Sequence, residues 1–162
     1  MANKKLFKML DALKAKYKLI THKTVYTAYD AAQTQKLPLK QVGKTLLVKA
    51  DNKFAIVLLP ASKRLNIQKV KKGINLHLAK IGQKKAKSLT ICNEKQIINN
   101  FTKGRGAMTP FGSLYGCLSI VDKGFLKNKT LSLNAGSFEE SITLSPAVYK
   151  KIEKPIEFSI AK

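Results

Sequence analysis

Residues 45–59 contain TLLVKA, then Asp51-Asn52, then KFAIVLL: two runs of strand-forming residues separated by only two. Two such runs joined by two residues have room for one arrangement, an antiparallel hairpin, so this stretch commits the chain to a sheet. The remaining segments must pack on that sheet or extend it. Leu6, Met9, Leu10, Leu13 and Tyr17 recur at steps of three and four, which predicts a helix over residues 4–17. LITH follows as a short strand. Thr27 and Asp30 stand three apart before an Ala-rich run, a capping-box-like start for a second helix. Asn66 opens a short helix through IQKVKK, and a separate helical piece covers residues 75–82. AKSLTI reads as a strand, and Asn93 and Gln96 cap a helix to Phe101. CLSIVD, TLSLNA and SITL are further strands. Ser145-Pro146 places an N-cap before Pro at the first helical position, starting a helix to about Glu153, and IEFSI is the last strand. Strands and helices interleave with one hairpin, no repeat and no linker. The expectation is a single α/β (α+β) domain over residues 1–162, with a mixed sheet or partial barrel surrounded by helices.

Charge narrows the partner. Thirty-one Lys and Arg against nine Asp and Glu leave the chain at +22, and residues 1–105 alone carry 24 basic and 4 acidic side chains, a net of +20. A field of that size attracts polyanions. It points to nucleic acid, or else to a surface on which Lys is simply the common residue. An anionic membrane is a weaker option, because the apolar face of the first helix reads as core. No apolar run approaches the roughly 18–20 residues that span a bilayer, and MANKKLFKMLDALKAKYK lacks the uninterrupted apolar stretch of a secretory signal. Cys92 and Cys117 form no CxxC and stand at no metal-ligand spacing from a histidine, so a pair of free thiols in the cytoplasm is expected, with no metal.

Few side chains offer chemistry. Of the two histidines, His77 lies among basic residues and reads as solvated, and His22 reads as a structural histidine at a strand end. GRGAMT breaks GxGxxG at its last position, and there is no GxSxG and no Walker lysine. Lys44 follows Val42-Gly43 at the entrance of an apolar strand, with Thr45 on the opposite face by alternation. It is either an edge-strand lysine that discourages aggregation, or one that reaches into a pocket toward a phosphate or carbonyl. Residues 104–116, GRGAMTPFGSLYG, hold four glycines, a proline and one charge. Ordering them costs entropy, so they are either a long surface turn or a cradle whose N–H groups face a ligand.

Taken in order, HKTVYTAYDAA, GKTLLVK, FAIVLLPASKRLN, GRGAMTPFGSLYG and NAGSFEESITLSP resemble the YbaK/prolyl-tRNA synthetase-associated editing domain family. The resemblance runs from about residue 19 through nearly the whole chain. It implies a compact α/β domain with a mixed, strongly curved sheet, and an enzyme that hydrolyses the ester between a wrong amino acid and the 3′-terminal adenosine of tRNA. The family's essential lysine, in a K-T-L motif, falls on Lys44, beside Thr45. Its Gly-rich loop falls on Gly106, Ala107, Met108, Thr109, Pro110, Phe111 and Gly112, and lines the aminoacyl pocket with backbone groups, Gly106 beside the ester. The H-x-x-V-x-T stretch falls on His22, Val25 and Thr27, with Tyr26 facing the pocket in some members. The late A-G loop falls on Asn134, Ala135 and Gly136.

Members specific for cysteine carry Ser before that pair and an acid seven residues later, where this chain has Asn134 and Ser141. Another branch carries His where this chain has Phe138. The resemblance therefore implies a trans-editing deacylase for a tRNA(Pro)-type substrate bearing a small wrong residue such as Ala, Cys, Ser or Thr. Its partner is the misacylated tRNA, alone or with a synthetase, and no cofactor is implied. Lys63, Arg64, Lys71 and Lys72 are the expected phosphate contacts. With no general base evident in the sequence, direct hydrolysis by a substrate-positioned water is expected. The alternative is a non-catalytic tRNA/RNA-binding or regulatory module on the same fold.

Overall fold

In the computed structural model, which describes residues 4–101 and 108–162, the elements follow in the order α1 (Lys4–Ala12), β1 (Lys18–Thr21), α2 (Ala28–Gln35), β2 (Gly43–Ala50), β3 (Lys53–Pro60), α3 (Ile67–Lys80), β4 (Leu89–Ile91), α4 (Glu94–Asn100), β5 (Leu118–Asp122), β6 (Leu131–Ser137), β7 (Glu140–Leu144), α5 (Pro146–Glu153) and β8 (Ile156–Phe158). The hairpin forms as its sequence requires. β2 and β3 pair antiparallel from Gly43↔Pro60 to Ala50↔Lys53, and the turn is made by Asp51 with φ 53°.

That hairpin is the middle of a five-stranded sheet in the order β4-β2-β3-β5-β8, in which β3, β5 and β8 run parallel. A second, antiparallel sheet has the order β1-β7-β6. The expected single sheet is thus divided in two, and it does not close into a barrel. The isolated parallel bridge Val42↔Ser132 joins the two sheets. Among the described residues the strands of the two sheets pair nowhere else, consistent with the twist that rotates neighbouring strands apart. β6 and β7 form a second hairpin that the sequence reading did not anticipate, because Phe138-Glu139 at its turn is not a turn-forming pair.

One core lies between the sheets. Leu58 and Val121 meet Leu131, Leu133, Ile142 and Leu144, and Leu6 and Leu10 of α1 close it with Phe111 and Tyr149. A second lies under α3, where Val70, Ile74 and Leu78 cover Val48, Val57, Leu59 and Ile120, and a third, smaller one gathers Leu47, Ile56, Cys92 and Met108. Each such side chain, fully withdrawn from water, contributes about 1.5–3 kcal/mol before entropy is counted. α1 stops at Ala12 rather than residue 17, because Lys14 takes a φ of 52° that no right-handed helix accepts. Tyr17 instead folds back on Phe7, the ring centroids 5.9 Å apart, which accounts for its helical spacing. α3 is one continuous helix, not two pieces. Gly73 lies inside it because a Cβ there would stand 2.9 Å from Ile120 and Phe158, so glycine permits close packing on the sheet.

Candidate active site

Where the two sheets part, a cleft of about 340 Å³ opens. Five pieces of chain wall it: residues 22–31, the first half of β2, β6–β7 through Ser132, Leu133, Asn134, Phe138 and Ser141, Glu94 and Ile97 of α4, and Met108. Each wall has a local cause. Thr27 caps α2 by accepting from the Asp30 N–H at 3.0 Å, which fixes where the chain leaves the cleft. The Val25 N–H donates to Phe138 C=O at 2.9 Å and holds residues 22–25 against the β6–β7 turn. Asn93 caps α4 with both halves of a capping box present, which presents Glu94 and Ile97. In β6, Asn134 Oδ1 accepts from the Gly136 N–H at 2.6 Å and its amide donates to Ser137 C=O, so this side chain shapes a β-bulge.

The cleft gathers His22, Val25, Tyr26, Thr27, Lys44, Thr45, Met108 and Asn134 from the sequence-expected set. Thr109, Pro110, Phe111, Gly112 and Gly136 are off its lining. Gly106 and Ala107 lie outside the described residues. Lys44 shares its strand face with Leu46 and Val48, and its ammonium donates to Lys63 C=O at 2.8 Å. Burial lowers the Lys44 pKa from the usual lysine range, and the positive charge of Arg64 lowers it further. Tyr26, 74% exposed, stands at the mouth with its ring 5.0 Å from that of Phe138.

Neutral hydrogen bonds tie the lining residues Ser132, Ser141 and His22 together through Gln35, which is itself off the lining, and neither Gln35 nor Ser132 carries a motif that could have announced it. Ser132 Oγ donates to Gln35 Oε1 at 3.3 Å, and Gln35 Nε2 donates to Ser141 Oγ at 3.4 Å. Ser141 Oγ lies 2.9 Å from His22 Nε2, and His22 Nδ1 lies 2.8 Å from Lys23 C=O. A carbonyl only accepts, so Nδ1 carries the proton. In the neutral ring Nε2 is then the acceptor, and the Ser141 hydroxyl donates to it. His22 is therefore held in one tautomer, facing the cleft. Glu94 is the one carboxylate among the residues that line it.

The P-F-G segment is anchored on its far side. Phe111 is fully buried, edge-on to Tyr149, whose hydroxyl donates to Pro110 C=O at 2.7 Å. The Thr109 N–H donates to Tyr115 Oη, and the Thr109 hydroxyl donates to Asn134 C=O at 2.7 Å. The Gly112 N–H donates to Ser119 Oγ at 2.9 Å. Glu153 accepts from the hydroxyls of Ser119 at 2.6 Å and Ser113 at 2.7 Å. Burial raises the Glu153 pKa, which those hydrogen bonds oppose. α5 thus clamps residues 110–113 from behind, and Met108 reaches the cleft.

Cys117 is absent from the cleft lining, and its thiol pKa is raised by burial and then by the Glu153 carboxylate. A thiol so placed stays protonated and unreactive at neutral pH. Cys117→Ala is expected to leave the chemistry of the cleft intact, with no thioester trapped on acid quench. A dead variant together with a trapped thioester would put the nucleophile on Cys117.

Of the expected phosphate contacts, Lys63 and Arg64 are exposed beside Lys44, and Lys72 is exposed on α3. The Lys71 ammonium donates to Lys87 C=O at 2.7 Å. Among the described residues no group of three or more His, Cys, Asp or Glu side chains could hold a metal ion.

The model of the aminoacyl-tRNA editing domain matches residues 22–152. No curated protein matches the chain by sequence. Among solved structures, a hypothetical protein superposes with a TM-score of 0.79 at 17% identity, covering 98% of this chain and 100% of that one. A candidate trans-editing enzyme for prolyl tRNA synthetase superposes at 0.74 with 14% identity, over 100% of this chain and 99% of its own. A candidate signal transduction protein from Marinobacter aquaeolei VT8 superposes at 0.67 with 12% identity, over 96% of this chain but 30% of that one. At these identities the structural likeness establishes the fold.

Proposed function

Because the chain belongs to the aminoacyl-tRNA editing domain family, we propose that residues 1–162 form one deacylase domain that acts in trans on misacylated tRNA in the cytoplasm. The acyl group is a small one, Ala, Cys, Ser or Thr, on a tRNA(Pro)-type substrate. The observation that carries this reading is the convergence of residues 22–27, Lys44-Thr45 and Asn134 on one cleft of about 340 Å³. That volume is at the small end of ligand sites and suits an aminoacyl ester with its terminal ribose. Water cleaves the ester to a free amino acid and a ribose hydroxyl. Lys44 holds the terminal nucleotide or the negative charge that develops on the carbonyl oxygen, and Gly106 is assigned a backbone contact to that oxygen. A separate hydrolytic site is useful because a synthetase separates side chains differing by one methylene by only about 1–3 kcal/mol. No described helix is long and apolar enough to cross a membrane.

A panel of tRNAs misacylated with Ala, Cys, Ser and Thr tests the reading. Hydrolysis of at least one above the spontaneous rate is expected. Binding without hydrolysis of any would make the protein an RNA-binding module on this fold.

The charge makes a separate expectation. If Lys63, Arg64, Lys71 and Lys72 each meet a phosphate, tRNA affinity should fall by about two decades between 50 and 200 mM salt. Charge reversal at Lys71 and Lys72 should weaken tRNA binding and leave hydrolysis of a minimal aminoacyl-nucleotide intact. Reversal at Arg64 should affect both, because its charge acts on Lys44. A flat salt dependence would count against a phosphate-binding face.

A further inference from the structure

Thr45 Oγ1 is buried in the cleft wall and, among the described residues, has no hydrogen-bond partner. A buried hydroxyl left unpaired is destabilising, so such an atom in a cleft marks where a ligand's polar group belongs. The backbone around it makes the same point. The Cys92 N–H donates to Leu47 C=O at 2.8 Å, so Leu47 turns its backbone groups away from β3. Two residues earlier on the same strand, Thr45 turns its N–H and C=O the same way. On that edge β4 covers only Val48 to Ala50, and the next pairing is the Val42↔Ser132 bridge. Between the two, Thr45 faces the cleft with a strand edge that, among the described residues, no other strand pairs.

Resting on the editing reading, we propose that the aminoacyl group docks on β2 as a one-residue strand. An aminoacyl ester carries the hydrogen-bonding pattern of a single extended residue, a nitrogen donor and a carbonyl acceptor on one α-carbon. Its carbonyl oxygen accepts from the Thr45 N–H, and its ammonium donates to Thr45 C=O. A second ammonium hydrogen goes to Thr45 Oγ1. Residues directly opposite in an antiparallel pair share a sheet face, so the acyl side chain lies on the Thr45 side of β2, between Gly43 and Leu47. Selection is then for the α-amine as well as for a small side chain.

The test compares alanyl-RNA with propionyl-RNA, which lacks only the amine, in the wild type and in Thr45→Val. The variant removes an unpaired hydroxyl and should melt no lower than wild type. It is expected to lower kcat/KM for alanyl-RNA by about 10- to 100-fold, the range for a hydrogen bond to a charged group, and to lower it for propionyl-RNA by a markedly smaller factor. Equal effects on both substrates would overturn the docking mode. Amide exchange of Thr45 decides it independently of turnover, with alanine amide-linked to 3′-amino-3′-deoxyadenosine as the stable probe. Fast exchange in the free protein and protection with the probe are expected, and a Thr45 amide already protected in the free protein would overturn the proposal. If the wild type hydrolyses no aminoacyl-RNA, the editing reading has failed, and the exchange measurement still decides whether the edge takes an aminoacyl group.

Discussion

Lys44→Ala should lower kcat/KM for the aminoacyl ester by about 10²–10³-fold, the scale of losing one electrostatic contact to a transition state, and leave the protein folded. The two halves of that expectation have different sources. The first is the position of Lys44 at the cleft, on β2 beside Thr45. The second is the direction of its pKa. Burial and Arg64 make the folded protein hold the Lys44 proton less tightly than an unfolded chain does. The unfolded state therefore binds more protons between the lowered and the ordinary value, and stability rises as pH climbs through that window. A charge the fold tolerates at a cost is not one the fold depends on. Denaturation and turnover measured side by side check both halves, and a folded Lys44→Ala with near-wild-type turnover would remove this lysine from the mechanism.

Gly112→Ala should be damaging out of proportion to the single methyl it adds. A Cβ at residue 112 would stand 2.5 Å from Ser119 Oγ, 2.8 Å from Cys117 O and 3.0 Å from Leu118 O. Two of the three are backbone carbonyls leading into a central strand, so relief must come from moving the P-F-G segment. Overpacking of this kind costs about 1–3 kcal/mol. It also threatens the Gly112–Ser119–Glu153 chain that clamps the segment. Thermal melting should show the loss, and deacylation should fall with it. A variant that melts with the wild type would mean the segment has room the structure does not show.

The elements that were legible in the sequence are those with a local chemical cause. Asn93 with Gln96, Ser145 with Pro146, and Asp51-Asn52 between two apolar runs each determine a backbone conformation within four residues, and all three stand in the structure as read. The misreadings share a different cause. The two helical pieces read before and after Gly73 join once Ile120 and Phe158 are known to lie against it, and the β6–β7 turn is held by pairing rather than by turn residues. For the site, motif order named eight of the cleft residues. It missed Ser132 on the lining and Gln35 behind the hydrogen bonds, whose role is to link Ser132 with Ser141, each about a hundred positions from Gln35. It also assigned Thr109 to Gly112 to the ligand, whereas the Thr109 and Gly112 N–H groups bind Tyr115 and Ser119.

The pairing of β1 with β7 joins Lys18–Thr21 to residues 140–143, and this has a consequence during synthesis. A ribosome that has released the first 105 residues has released a net charge of +20 and neither β6 nor β7. Such a nascent chain has the attraction for RNA without the wall that makes a cleft. Contacts of this span close last and slowly. Truncated or stalled products should therefore behave as inert RNA-binding polycations.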